Sequence, residues 1–133
     1  MSLTTDIYNA FAPLVTAFAG GYSPAIPVAY PGVSFDPPDE GNWLELVPVW
    51  NQGENYGLAD EGPTVERGFF RILVSYRTGF VSAQTLAEEV VSAFGKGTTF
   101  GGALVYESPS ITGPVQSDEK TMLSVTIRWR ATR

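Results

Sequence analysis

One segment of the chain combines the two clearest secondary-structure patterns in the sequence, a strand that leads directly into a helix. Residues 69–77 alternate between an apolar set and a mixed set, which is the period of a strand with one buried face. After a short turn, apolar residues recur from Ala83 to Phe94 at the three- and four-residue spacing of an amphipathic helix. The segment 67–94 is therefore predicted to be the unit against which the remaining chain packs.

Local signals set the ends of the two predicted helices. Ser82 is the expected N-cap of the helix in the central unit, and Gly95 is placed to end it. Another helix is predicted over residues 3–18, ending at Gly20 and Gly21. Pro13 lies inside it and is expected to kink or divide it, since proline lacks the amide proton that a helix interior uses.

Four further segments have the composition of strands. Residues 26–31 contain two prolines and predict an edge strand or an extended segment, whereas 42–50, 103–107 and 122–130 predict regular strands. Because 42–50 is apolar on both faces, one face is expected to be covered by a neighbouring subunit. The sequence predicts an α+β fold with a mainly antiparallel sheet of four to five strands, two helices packed on one face and a long extended hairpin loop.

Two segments between these elements are predicted to be loops. Residues 51–66 are acidic and rich in glycine, without periodicity, and they join two strands expected to be antiparallel neighbours. Long loops of this kind are usually functional or disordered, so we expect either a protruding arm that contacts a partner or a mobile tip. Residues 108–120 are the other predicted loop. We expect a single domain over residues 1–133, with 51–67 as the arm.

The residue types that most enzymes use are largely missing. The sequence has no histidine and no cysteine, which removes the commonest zinc ligands and the usual general base. Carboxylates occur as adjacent pairs, at Asp39–Glu40, Asp60–Glu61, Glu88–Glu89 and Asp118–Glu119. Such pairs are usually solvated charge, so we predict no catalytic pair, no calcium site, no cofactor and no enzyme activity.

Charge is unevenly distributed along the chain. Residues 1–66 contain nine acidic and no basic residues, whereas 67–133 contain five acidic and eight basic residues. This asymmetry results either from which strands face solvent or from complementary surfaces that meet between copies of the protein. A pI near 4.5 argues against a sequence-specific nucleic-acid partner. No stretch approaches the about 20 apolar residues of a membrane span, so we expect a soluble protein made in a cytoplasm.

Several phrases of the sequence together resemble the tail terminator proteins of long-tailed, siphovirus-type bacteriophages, the family of the lambda tail terminator. Those phrases are Ile7 with Ala10 and Phe11, residues 26–31 with Phe35 and Pro37–Pro38, Arg67–Phe70, Ala87–Gly97, and Val125–Arg130. The resemblance spans nearly the whole chain and includes no catalytic motif.

The resemblance implies a structural virion protein that forms a hexameric ring. Such a ring caps the tail tube, stops tube polymerisation and provides the docking surface for head-tail joining. The implied partners are further copies of the chain, the major tail tube protein and the head-tail connector protein. The implied location is the head-proximal end of the tail, where DNA passes through the ring lumen.

Ten residues of the arm and the strands, nine of them charged, are the candidate interface residues. They are Glu54, Tyr56, Asp60, Glu61, Glu66, Arg67, Arg71, Arg77, Arg128 and Arg130. For the arginines, pairing with the chain's own acids is the alternative. For the whole protein, the alternatives are another neck or tail ring protein, such as a head completion protein or tube subunit, and a small ligand-binding domain that uses the tryptophans and Tyr56.

Overall fold

Two helices and eight strands are present in the part of the chain that the computed structural model describes, residues 3–23, 25–38, 41–50, 54–55, 64–77, 79–116 and 120–132. The helices are α1 (Leu3–Gly20) and α2 (Phe80–Ala93). The strands are β1 (Val28–Ala29), β2 (Asn42–Trp50), β3 (Glu54–Asn55), β4 (Thr64–Tyr76), β5 (Thr99–Phe100), β6 (Ala103–Val105), β7 (Ser110–Gln116) and β8 (Thr121–Thr132).

The strands form one sheet in which β4 is the central member. The order is β1-β2-β4-β8-β6-β5, with β3 also paired with β4 and β7 also paired with β8. Only the β1–β2 pair among these described pairings is parallel. The α+β class and the mainly antiparallel sheet are therefore confirmed, and the edge position of β1 fits its two flanking prolines.

The predicted number of four to five strands is too low. Strands β1, β3 and β5 have only two residues each, which is too short to leave a period in the sequence. Strand β7 lies inside the predicted loop 108–120, and its exposed residues show no apolar alternation. These strands are identified by their pairing partners, and pairing is a non-local property.

The boundaries of the predicted hairpin loop also change. Strands β2 and β4 are antiparallel neighbours, as expected. However, β4 already begins at Thr64, and Glu54–Asn55 pairs with Thr64 and Val65, so these parts of the segment are strand and not loop. Positions 51–53 and 56–63 of the predicted arm lie outside the described residues.

The course of α1 and the start of α2 both differ from what the sequence predicts. Helix α1 runs without division through Pro13, which lies on its exposed side. Gly79, not Ser82, is the N-cap of α2, and its φ of 93° lets the chain turn within a few residues from β4 into the helix. Ser82 instead accepts a 3.0 Å hydrogen bond from Nδ2 of Asn42 at the start of β2.

The core lies between the two helices and one face of the sheet. Phe11 of α1 stacks on Phe70 of β4 with ring centroids 4.1 Å apart and planes inclined by 3°. The same ring contacts Phe94 at 5.2 Å and Phe100 at 4.9 Å, which joins α2 and β5 to the cluster. Each fully buried aromatic or aliphatic side chain contributes about 1.5–3 kcal/mol, so this cluster is a main source of stability.

A glycine in β4 allows Trp129 to lie flat against the sheet. A Cβ atom on Gly68 would come within 2.6 Å of Cζ2 of Trp129 and 2.8 Å of the carbonyl oxygen of Val49. Trp129 is fully buried, so its ring has no free space into which it can move. Gly68 is therefore required by the packing of its neighbour on β8.

Replacing this glycine should destabilise the protein measurably. We expect Gly68→Ala to lower the free energy of unfolding by about 2–3 kcal/mol, the range for overpacking a well-filled core. Urea unfolding followed by tryptophan fluorescence measures the change. Gly95→Ala is the matched control, because its Cβ would meet nothing closer than 3.7 Å. Equal stability of the two variants would contradict this account of Gly68.

Candidate functional site

The sheet has a second face, which neither helix covers. Alternate residues of β2, β4 and β8 form this face. The residues between them in sequence point into the core. At its centre Val47, Val49, Phe69 and Leu73 are only partly buried. The prediction that β2 has two apolar faces is therefore confirmed. Covering by a neighbouring subunit remains a prediction.

Basic residues are concentrated on this same face. Of the seven Lys and Arg residues in the described part of the chain, six lie on it. They are Arg67, Arg71, Arg77, Lys120, Arg128 and Arg130. We call this surface the basic face. The acidic residues described on it are Glu45 and Glu107, so it has an excess of positive charge.

The register between β4 and β8 brings the arginines together. Arg67 lies directly opposite Arg130, and Arg71 lies opposite Thr126, one row away from Arg128. Arg128 is 3.5 Å from Oε1 of Glu107, a pair whose side chains are about half exposed. The guanidinium of Arg130 lies 5.8 Å from the ring centre of Tyr106. Arginine on aromatic rings keeps its charge available to a partner.

Arg71 is held in the middle of the basic face by apolar neighbours. Its guanidinium carbon lies 5.3 Å from the ring centre of Phe69. Its Nε is buried and has no hydrogen-bond partner within the described residues. A buried donor without an acceptor usually costs about 1–3 kcal/mol, so an acceptor supplied from outside would stabilise this position.

A polar cluster closes one end of the basic face. Glu45 of β2 accepts a hydrogen bond from Nζ of Lys120 and another of 2.7 Å from Oγ of Ser75. Burial alone would raise the pKa of Glu45, but the two donors outweigh it and hold that pKa below its ordinary value. Trp43 lies under the cluster, with Arg77 at 5.5 Å and Lys120 at 5.7 Å from its ring centre.

The structure separates the predicted site residues into three groups. Arg67, Arg71, Arg77, Arg128 and Arg130 share the basic face. Glu66 of β4 is partly buried and pairs with Ala131. Its side chain therefore points to the face of the sheet opposite the basic face. Glu54 lies in β3, whereas Tyr56, Asp60 and Glu61 are outside the described residues. No finding tests their role in an interface, which stays a prediction.

Sequence reasoning missed Lys120 and Trp43 as parts of this surface. The sequence places Lys120 at the end of the predicted loop 108–120 and Trp43 in the predicted strand 42–50, and neither position by itself indicates a shared surface. The available signal was parity, because Lys120 directly precedes β8 and is an even number of residues from Arg128.

A wider concavity lies elsewhere, between α2 and the chain that leads to β2. It has a volume of about 730 Å3, and its lining includes Tyr22, Ile26, Asn42 and Glu89 but none of the three tryptophans. Oη of Tyr22 donates a 2.6 Å hydrogen bond to Glu89; burial and this bond raise the pKa of Tyr22 to about 12.

Neither a metal-binding cluster nor a membrane-spanning helix is found among the described residues. They contain no group of three or more acidic residues that is arranged to hold a metal ion. Neither of their helices has the length and hydropathy needed to cross a membrane.

The cluster around Glu45 should make stability depend on pH. Glu45→Gln is expected to lower the free energy of unfolding by about 1–2 kcal/mol at pH 7, since it removes charge-assisted hydrogen bonds. The folded pKa lies below the unfolded value of 4.5, so this stabilisation is complete above pH 4.5. It is lost as the pH falls through the folded pKa. The difference between wild type and variant, measured by urea unfolding, should therefore shrink towards pH 3.

Glu107→Gln is the control for this experiment. Its ion pair with Arg128 is about half exposed, and exposed pairs contribute about 0–1 kcal/mol. We expect a small change that is similar at both pH values. A Glu45→Gln deficit that stays constant between pH 7 and pH 3 would show that the lost stability is not electrostatic.

Comparison with known proteins assigns the chain to a family and finds solved structures with a similar fold. The model of a family described as phage tail terminator protein matches residues 6–129, nearly the whole chain. A solved structure is similar over all of this chain and 96% of its own, with a TM-score of 0.79 and 23% sequence identity, a likeness that concerns the fold. No curated protein matches the sequence significantly. The chain therefore belongs to the phage tail terminator protein family and is a structural component of a phage tail.

Proposed function

We propose that six copies of this chain form a ring at the head-proximal end of the tail. The ring caps the tail tube, stops its polymerisation and provides the surface on which the head-tail connector docks. The observation that carries this proposal is the family match over residues 6–129. Assembly of the ring takes place in the host cytoplasm, and DNA passes through its lumen.

The basic face is the surface that the proposal uses for contacts. Its partly buried apolar centre is typical of an interface core, and its arginines are the residues that interfaces favour for anionic partners. Arg71 in particular has a buried Nε donor that lacks an acceptor among the described residues, and we propose that assembly supplies one. We assign this face to a neighbouring subunit or to the lumen of the ring.

The acidic segment 51–67 supplies the second contact. It begins after Trp50 at the end of β2 and returns to β4. It is therefore attached at the Trp50 end of the β2–β4 pair. Its acidic residues are Glu54, Asp60, Glu61 and Glu66. An acidic segment is suited to a basic surface on another molecule, and we propose that it contacts the adjacent subunit or the tube ring below.

Tube assembly in vitro tests the function directly. The major tail tube protein of the same phage is allowed to polymerise with and without this protein, and tube lengths are measured by electron microscopy. We expect shorter tubes, each with one cap at one end, and a capped species of six chains by native mass spectrometry. An unchanged length distribution would exclude capping. Growth of this chain into tubes by itself would identify a tube subunit instead.

A shortened arm is tested in the same assay. Replacing residues 56–63 with a short Gly-Ser linker leaves the paired residues of β3 and β4 in place. We expect ring formation or capping to be lost while the unfolding transition is kept. Survival of both activities would exclude a role for the arm.

Charge reversal on the basic face should prevent assembly without unfolding the protein. We expect Arg71→Glu combined with Arg128→Glu to abolish the ring, because both positions lie on the partly exposed centre of the face. Lys96→Glu is the control, since Lys96 is exposed in the turn after α2 and away from this face. Sedimentation velocity compares the oligomers. A ring that forms equally well from the double variant would exclude the basic face from the contacts.

A further inference from the structure

Two apolar features at opposite ends of the molecule are exposed to solvent. At one end, Phe80 and Val81 in the first turn of α2 are 47% and 76% exposed. We call these two residues the knob. At the other end, Thr5, Tyr8, Pro31, Pro48 and Trp50 line a pocket of about 280 Å3. Large apolar side chains and apolar concavities exposed to solvent are characteristic of contact sites.

The knob and the pocket are held apart by the sheet. Asn42 pairs with Tyr76 at the knob end of the β2–β4 pair, and Trp50 pairs with Gly68 at the pocket end. The nine residues of β2 therefore separate them by roughly 27 Å, at about 3.4 Å per residue. A knob cannot reach the pocket of its own chain across this distance, but it can reach the pocket of a second copy.

Both features are attached to buried residues of the same chain. Trp50 packs edge-on against Phe70 and Trp129, each with ring centres 5.8 Å apart, so the floor of the pocket is anchored in the core. Phe80 contacts Tyr76 at 6.4 Å, and Gly79 fixes the direction in which α2 begins. Preformed surfaces lose little conformational entropy on binding, which favours association.

Size and charge also match. A volume of about 280 Å3 corresponds to about nine water molecules at about 30 Å3 each, enough for one bulky apolar side chain. Arg77 precedes the knob by three residues, and exposed Asp6 follows Thr5 at the pocket. A knob docked in the pocket of the next copy would bring these opposite charges towards each other at the rim, where they help to set orientation.

We propose that the knob of one copy inserts into the pocket of the next and that this contact repeats around the ring. The occupant of the pocket is thus a second copy of this chain. This inference rests on the proposed ring and deepens it, because a head-to-tail contact between two different patches is the kind that closes into a ring. Pro48 and Trp50 then form an interface directly beside the start of the acidic segment.

Thiol cross-linking tests the contact, and the absence of native cysteine makes the experiment clean. The doubly substituted chain, Val81→Cys with Thr5→Cys, is treated with a short bis-maleimide under conditions in which the wild type forms rings. We expect a ladder that extends to the closed ring on denaturing gels. A mixture of the two single variants should give dimers, and each single variant alone should give none.

A matched pair of cysteines controls for accidental proximity. Val115 is 56% exposed on β7, against 76% for Val81, so Val115→Cys with Thr5→Cys places accessible thiols outside the proposed contact. We expect no ladder from this pair. Equal ladders from both doubly substituted chains, or none from Val81→Cys with Thr5→Cys, would overturn the proposal.

Assembly of a knob variant provides an independent measurement. Phe80→Ala with Val81→Asp should convert the ring to monomers of about the 14.3 kDa chain mass in native mass spectrometry. The fold should survive, because Phe80 and Val81 are exposed and an acid in the first turn of a helix is favourable. If this variant does not fold, Val81→Asp alone is used in its place.

Different outcomes would contradict the proposed function and the knob contact. If the wild type forms no ring and does not cap tubes, the proposed function is wrong. If the wild type forms rings and the folded knob variant forms them equally well, the proposed function stands and the knob contact is wrong.

Discussion

The stacking of Phe11 on Phe70 is the contact on which the rest of the structure depends. It joins the first helix to the centre of the sheet, and through Phe94 and Phe100 it also holds α2 and the β5–β6 hairpin. All of these rings lie on one side of β4, so the large apolar side chains of the core are used on that side. The other side of the sheet is covered by neither α1 nor α2.

This one-sided core explains why the basic face exists. Charged residues at alternate strand positions cannot be buried under the helices without a large desolvation cost, so they lie on the uncovered side. There they share the surface with Val47, Val49, Phe69 and Leu73, which remain only partly buried. A face that is both basic and partly apolar is poorly suited to water alone, and it is well suited to a partner that supplies carboxylates and apolar area.

Local pattern was enough to predict much of this fold from the sequence. Strand β2 has the predicted bounds, and the core positions of β4 and α2 follow from their periods of 2 and 3.6. The N-cap could not be predicted in the same way, because Gly79 acts through its backbone conformation and Ser82 is occupied by Asn42. Strand β7 was missed because its identity depends on pairing with β8 rather than on its own residues.

The candidate surface shows the same division between local and non-local information. Each strand's own sequence predicts that Arg67 and Arg71 share a face, and that Arg128 and Arg130 share one. That the two pairs share the same face follows only from the register that sets Arg67 opposite Arg130. A single-residue slip would place Arg128 and Arg130 against the helices, where Ile127 and Trp129 now lie.

The charge distribution also limits how copies of the chain can associate. A two-fold contact through the basic face would place the same six cations on both sides of the interface, with only Glu45 and Glu107 described as local counter-charges. Like charges that face each other across an interface repel, and burying them would add a desolvation cost. A head-to-tail contact avoids this, because each copy offers a different surface to its neighbour on either side. The same segregation of charge that distinguishes the two halves of the sequence therefore favours a head-to-tail contact over a symmetric contact through the basic face.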